Sequence, residues 1–528
     1  MSIGTALLLS LLAGFAYFSR RFLGDFYIER PIILAPLAGL IMGDFQTGLI
    51  VGGTLEFIFM GVTNVGSSIP PNYAIGGTIG TAFAISSGQG VETALLIAIP
   101  ASLLGVFCEM SAKTISAFLI NAADRMADNG NDKGISLMMH FGNLIHFLSN
   151  AIPTFIALVL GDAMVKAIMD GIPIWFKDGL TVAGSLLPAL GFALLLSTLA
   201  SPGLFPLFFI GFLVAAYTNF GVLGIALLAF FVIMVIQSRS QANEDYMVME
   251  DEVAAAHAIG SRDAFSKQDI RRVFFRSFAC QSAFSFDRMQ AFGFTWALIP
   301  ILKKIYKDNP EGYKSALKRH LVFFNTHPWL NGPILALTAD MELRKAKGED
   351  IEEQAIQGLK SGLMGPIAGV GDSMLHGTLK PLVGGVAATL ALQGNPIAPA
   401  LFFVVTASVH LWVRWFTVKK GFEMGERFLG VLGSGRLRKM MEAATMVGLI
   451  TVGALTATWL KVKTPLTYKV QEGSIVIQDI LDGFMPKILP LAITLLVFWL
   501  VRKRLSSTAI MMGLIVAGLI LGGLKILG

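Results

Sequence analysis

The sequence predicts an all-α polytopic membrane protein with two transmembrane helical halves containing broken or re-entrant helices, and three observations lead there. Hydrophobic residues fill 54% of 528 positions and charged ones only 14%, with a mean hydropathy of +0.68, far from soluble usage. Apolar runs are frequent enough to take up most of the length as spans of about 20 residues each. Polar and ionisable residues sit inside those runs, where desolvation is costly and the usual reason for tolerating it is a substrate or ion path.

The elements follow in order. Ile3 to Phe18 is apolar and meets Arg20 and Arg21, without the leading positive region and small-residue cleavage site of a secretory signal, so it reads as a retained membrane helix. Pro31 to Gly90 is apolar but interrupted by Pro70-Pro71, Gly76-Gly77 and Gly88-Gln89-Gly90. Non-helical backbone at membrane depth survives only where protein or a wet cavity satisfies it, and broken helices wall many transporter sites. Apolar runs then lie at Leu95–Phe107, Asn150–Ile168, Leu180–Leu199, Leu204–Tyr217 and Val222–Ile236.

From Ser238 the character changes: Glu244, Asp245, Glu250, Asp251 and Glu252 precede a basic group at Lys267, Arg271, Arg272 and Arg276. We therefore divide the chain into a membrane unit at 1–238, a charged cytoplasmic linker at 239–266 and a second membrane unit at 267–528, the basic end of the linker placing it in the cytoplasm. In the second unit, Lys303–Arg319 and Glu342–Lys360 interleave charge with apolar residues, as amphipathic cytoplasmic helices do. Further runs follow at Pro381–Leu392, Ile397–Trp412, Met446–Trp459, Ile488–Val501 and Ile510–Leu527. Arg436, Arg438, Lys439 and Arg502-Lys503-Arg504 should face the cytoplasm, which leaves Lys463–Gln478, a hairpin-like alternation, and Gly528 outside. Gly76-Gly77 with Thr81 recurs as Gly384-Gly385 with Thr389, a short echo that fits an internal repeat.

Several function classes fall away. The net charge of +6 resides in short loops beside apolar runs, so nucleic acid is not the partner. Cys108 and Cys280 have neither disulfide nor zinc spacing. His140, His146 and His320 lack ligand spacing and His376 and His410 stand isolated, so no metal site is assigned and no cofactor is called for. Gly365 to Ser373 is glycine-rich but lacks the Lys-Ser/Thr of a phosphate loop.

The candidate binding residues are those whose side chains suit a polyol. Glu56, in Gly52-Gly-Thr-Leu-Glu56, and Asn64 accept and donate to hydroxyls; alternatively they satisfy backbone at helix breaks, or Glu56 takes a proton or cation. Asn325, Thr326, His327, Pro328 and Trp329 group amide, imidazole and indole, with helix capping the alternative for Asn325 or Thr326. Asp372 either contacts substrate or caps a helix starting near Ser373, and Gln281 follows the basic linker on a helix with Asp287, Arg288 and Gln290.

Gly52 to Gly66 closely resembles the signature of the membrane IIC component of mannose/fructose/sorbose-family sugar phosphotransferase systems (PTS). Asp269–Phe278, Arg319–Pro328 and Gly369–Ser373 resemble the partner IID component. The resemblance spans almost the whole chain, and its one departure is the fusion of two components that are usually separate. It implies a phosphoenolpyruvate-dependent, multi-pass permease of the bacterial inner membrane that imports a hexose-type sugar, which a soluble phospho-IIB, charged by IIA, phosphorylates at the cytoplasmic face. It also implies a homotrimer, a sugar site between the halves, and substrate contacts from Glu56, Asn64, Gln281, Asn325, His327 and Asp372. No phosphorylatable IIA or IIB domain is visible in the chain, so catalytic residues are not expected here. The alternative is an ion-coupled secondary sugar transporter using Glu56 or Asp372 as its coupling carboxylate.

Overall fold

The computed structural model describes residues 1–61, 71–88, 90–171, 173–201, 203–218, 220–241, 265–425, 435–470 and 473–528. The first half supplies α1 (Ile3–Phe18), α2 (Pro31–Met42), α3 (Phe45–Phe59), α4 (Tyr73–Ser87), α5 (Val91–Asp128), α6 (Asp132–Gly171), α7 (Ile174–Leu186), α8 (Pro188–Leu199), α9 (Pro206–Tyr217) and α10 (Val222–Gln241). Local chemistry sets their ends. Asp44 and Asn72 accept from the amides of Thr47 and Ile75 at the starts of α3 and α4, and Gly43, at φ 84°, closes α2 in a conformation that side chains resist. The expected Leu180–Leu199 run is two helices, α7 and α8, the second starting at Pro188.

The second half supplies α11 (Lys267–Ser277), α12 (Ala291–Ile305), α13 (Pro310–His320), α14 (Gly332–Ala346), α15 (Glu353–Gly371), α16 (Lys380–Leu392), α17 (Ile397–Met424), α18 (Gly435–Trp459), a hairpin of β1 (Thr467–Val470) and β2 (Gly473–Val476), then α19 (Ile477–Phe484), α20 (Ile488–Arg502) and α21 (Ser507–Gly523). Ser266 and Asp269 form a reciprocal capping box that starts α11 where the linker ends. β1 and β2 pair antiparallel with Tyr468 opposite Ile475, so the alternation at 463–478 is a hairpin. Gly528 exchanges backbone hydrogen bonds with Lys463, at the same end of the bundle, as the loop charges require.

Among the described residues four helices are long and apolar enough to cross a membrane, Ile3–Leu23, Thr93–Asp128, Asp132–Gly161 and Ile397–Met424, and α19 with α20 form a further pair bent by 76°. The 38 residues of α5 and 40 of α6 reach about 57 to 60 Å, twice the hydrocarbon thickness, so their joined ends leave the bilayer. Asp124 and Asp128, one turn apart at the end of α5, and Asp132 at the start of α6 meet cations of the second half: Arg288 at 2.7 Å, Lys318, and Lys303 at 2.9 Å respectively.

The halves interleave rather than abut. α9 and α10 pack on α18, α8 on α20, α7 on α21, and α3 on α16. Gly211 on α9 faces the Ile450 backbone, and Gly453 on α18 faces the Phe208 carbonyl; a Cβ at either would enter the opposing helix, the close approach that membrane helix pairs exploit. Breaking the covalent link should therefore leave the complex intact. After cleavage at a protease site inserted within 242–264, both fragments are expected to co-elute in detergent, whereas with Gly453→Ile they should separate; separation of the cleaved wild type would show that the linker, not the packing, holds the halves.

Candidate functional site

Two departures from α-helical geometry, one from each half, build the site. α1 widens into a π-helix at Ser19–Leu23, which carries Arg20 and Arg21 and stops at Gly24, φ 102°. A Cβ at Gly24 would stand 2.8 Å from the Phe278 ring and 3.0 Å from that of His410, so only glycine lets the chain turn there. Residues 25–30 then run against the second half: Trp329 Nε1 donates to the Asp25 carbonyl at 3.2 Å, and Phe26 lies 4.6 Å from the His410 ring. In the second half α15 passes without a break through a π-helix at Asp372–Leu379 into α16, presenting Asp372 and His376. Single π-helical turns concentrate at functional sites because the extra residue re-aims side chains.

Between these segments lies a cavity of about 110 Å³, lined from the first half by Arg20, Arg21 and Lys113 and from the second by Gln281, Asn325, Asp372 and His376, among others. Gln290 clamps the loop that brings Asn325 into place: its side chain donates to the Thr326 carbonyl at 2.8 Å and accepts from the Thr326 amide at 3.3 Å. Arg414, fully buried on α17, fixes the next stretch by donating to the Pro328 carbonyl at 2.7 Å. Tyr27, Ala283 and Met289 hold left-handed φ values of 59°, 48° and 51° around the site, strain that a packed scaffold must impose.

Buried polar atoms here lack hydrogen-bond partners among the described residues: Arg20 Nε, both Asp25 carboxylate oxygens, Gln281 Oε1 and His327 Nε2. Each such group costs about 1–3 kcal/mol unless something satisfies it; of these residues Arg20 and Gln281 line the cavity, where a ligand rich in polar groups can reach them.

Of the residues the sequence singled out, Gln281, Asn325 and Asp372 line the cavity together. His327 lies one layer behind: its ring is 4.4 Å from that of His376, and its Nδ1 accepts from the Trp329 amide at 3.3 Å. Glu56 is elsewhere. It is sealed from solvent and pairs with Arg30 at 2.5 and 3.0 Å, also accepting from the Ile32 amide at 3.4 Å, so it supports the start of α2, one of the alternatives the sequence left open. Asn64 lies outside the described residues. Asp372 caps nothing, because the helix continues through it, and Thr326 uses its hydroxyl on the Met364 carbonyl.

Sequence reasoning missed Arg20, Arg21, Asp25, Lys113, Gln290 and His376. The available signal was the density of charge at 20–30 immediately after an apolar helix, which reads equally well as an orientation signal. His376 is not isolated: His327, Asp372 and His376 bring potential ligand atoms within 4.8 Å of one another. Because Trp329 donates to His327 Nδ1, the ring proton sits on Nε2, which makes that nitrogen a donor and not a metal ligand. The group matches hydroxyls better than a cation.

Two variants probe this arrangement. Glu56→Ala leaves the Arg30 charge buried and unpaired and should lower stability by about 3–5 kcal/mol, with Glu56→Gln milder; an unchanged unfolding temperature in detergent for the alanine variant would remove the pair as a support. A Cβ at Gly371 would run into the His327 ring. The clash is with Cβ and Cγ, at the root of a buried side chain, so Gly371→Ala is expected to displace the His327 ring and to lower the unfolding temperature in detergent, and an unchanged unfolding temperature would show that the two do not press on one another.

Comparison with known proteins matches the two halves separately. Residues 264–527 match the family described as PTS system mannose/fructose/sorbose family IID component, and residues 3–235 match PTS system sorbose-specific IIC component. The mannose-specific EIID component of Escherichia coli (strain K12) is 38% identical over 48% of this chain and 92% of its own length. The fructose permease IIC component of Bacillus subtilis (strain 168) is 34% identical over 44% of this chain and 85% of its own. A solved chain of the mannose transporter ManYZ in complex with microcin E492 is 38% identical, covering 50% of this chain and 98% of that one, with a TM-score of 0.30. With the sorbose-type IIC match in its first half and the IID match in its second, the chain belongs to the mannose/fructose/sorbose family of sugar phosphotransferase systems.

Proposed function

We propose that the cavity between the halves is the sugar site of a permease that delivers its substrate to a soluble phosphohistidine donor. The observation that carries this reading is that residues of both halves line one cavity, so neither half forms it alone. In this reading the units at 1–238 and 267–528 are the IIC-like and IID-like domains, joined by the linker at 239–266. Gln281, Asn325 and Asp372, with His376, bind hydroxyls; His327 supports them from behind, Glu56 holds the scaffold through Arg30, and Asn64 completes the set of sugar contacts that the family resemblance implies. Assembly as a homotrimer and docking of IIB, recharged by IIA, belong to the same reading and rest on the family resemblance.

The chemistry is a group transfer. The P–N bond of phosphohistidine on IIB breaks as an O–P bond forms on a sugar hydroxyl, whose proton passes to the released imidazole or to solvent. Charge added to the sugar opposes its return through an apolar barrier, so uptake is one-way without an ion gradient. A volume of about 110 Å³ is below the 300–1,000 Å³ usual for ligand sites, so the flanking elements must part to admit a hexose. The two π-helical turns, already departures from the α ladder, are the natural places for that change. Family membership favours this reading over ion-coupled transport.

The test is uptake of labelled hexoses into vesicles containing the chain, with and without phosphorylated IIB. Phosphorylated sugar is expected only with IIB, and Asn325→Ala and Asp372→Asn should each reduce it about 10- to 100-fold, the range for losing a hydrogen bond to a ligand at a charged or buried group. Gradient-driven accumulation of unmodified sugar without IIB would overturn the proposal.

A further inference from the structure

The cavity wall is not electrically matched to a neutral hexose. It presents three cations, Arg20, Arg21 and Lys113, against one carboxylate, Asp372. The carboxylates that accompany the cations stand behind them: Glu29 and Glu109 line a separate small void together with Tyr17 and Arg20, and Asp25 lines neither. A single oxygen of Glu109 serves both Lys113, at 2.7 Å, and Arg21, at 3.3 Å. Arg20 fares worse. It is only 8% exposed, its Nε has no partner among the described residues, and its nearest carboxylates, Asp25 and Glu29, stand at 3.9 and 4.0 Å, beyond hydrogen-bond reach.

A guanidinium so buried and so loosely paired is expensive unless an anion completes it. Its planar fork suits a carboxylate held by two parallel N–H donors. The neighbouring rings hold the other two cations in place: Arg21 lies 4.9 Å from the Phe284 centroid, and Lys113 lies 5.4 and 5.5 Å from those of Phe284 and Phe286, at the cavity edge.

We propose that the ligand of this cavity is a sugar acid, its carboxylate on Arg20, Arg21 and Lys113 and its hydroxyls on Gln281, Asn325 and Asp372. The proposal rests on the reading of the cavity as the sugar site and narrows the substrate class. Because the phosphoryl group must still reach a hydroxyl, the acid group and the acceptor hydroxyl occupy different ends of the molecule, as in an aldonate with its carboxylate at C1 and a free primary hydroxyl at C6. Arg20 and Arg21 are carried on one π-helical turn, which sets the two guanidiniums side by side, while Lys113 approaches from α5.

The test compares gluconate with glucitol, which differ only in carboxylate against hydroxymethyl, for binding to the purified full-length chain in nanodiscs and for phosphorylation by phospho-IIB. Wild type is expected to bind gluconate at least about tenfold more tightly than glucitol. Arg20→Gln and Lys113→Gln should each erode that preference about tenfold, the scale of a charged hydrogen bond, with the folding of each variant checked by its elution profile and unfolding temperature. Equal binding of the two ligands by wild type, or equal losses for both in the variants, would overturn the proposal. So would displacement by glucose 6-phosphate but not by gluconate, which would assign the cationic wall to the phosphorylated product. Phosphorylation of glucose or mannose but not of gluconate would sink the sugar-acid assignment and leave the permease reading standing; no phosphorylation of any sugar, neutral or acidic, would remove both.

Discussion

The structure depends on satisfying the charges carried by residues 20–30 at membrane depth. Arg30 and Glu56 form the deepest of these contacts, both sealed from solvent, and together they fix the start of α2 to the body of α3. With that corner held, the segment from Gly24 to Glu29 has its path set, and the second half is packed to receive it: Trp329 takes the Asp25 carbonyl, and His410 stacks on Trp329 at 4.5 Å. Removing one partner of such a pair costs far more than the pair contributes, because the survivor stays buried and charged. The ion pair is thus better understood as fixing one arrangement than as adding stability.

From that corner outward, rigid and adjustable parts alternate. Gln290 and Arg414 hold the loop carrying Asn325 and His327 by backbone carbonyls, which gives those side chains little freedom. Opposite them stand two π-helical turns whose hydrogen-bond ladder is already irregular. With the Asn325 loop clamped on one side and deformable turns on the other, a ligand can enter by moving the turns that carry Arg20, Arg21, Asp372 and His376 while Asn325 stays in place.

Much of this was legible in the sequence and some was not, for physical reasons. Hydropathy revealed the membrane class, and the motifs revealed three of the cavity-lining residues, Gln281, Asn325 and Asp372, because each is a polar group in an apolar or glycine-rich context. Glu56 looked the same by that criterion, yet its partner is Arg30, 26 positions away, and only the fold shows that the carboxylate is spent on a cation. Arg20 and Arg21 were hidden by ambiguity: two arginines after an apolar helix are the commonest mark of membrane orientation, and burial distinguishes the cases where composition cannot. The lengths of α5 and α6 were underestimated because their joined ends are polar, and a hydropathy run stops where the bilayer does while the helix continues.

The interleaving of α7 to α10 with α18, α20 and α21 also bears on how the molecule is made. When the ribosome finishes the first half, glycine faces such as that of Gly211 have no opposing helix, because the helices that cover them come from the end of the chain. In a single chain the partner arrives after one round of elongation, on the order of tens of seconds for the remaining half. Two separate polypeptides must instead find one another in the plane of the membrane, in equal number. The fusion converts a search into a wait, and guarantees that every exposed face is eventually matched by one helix set and no more.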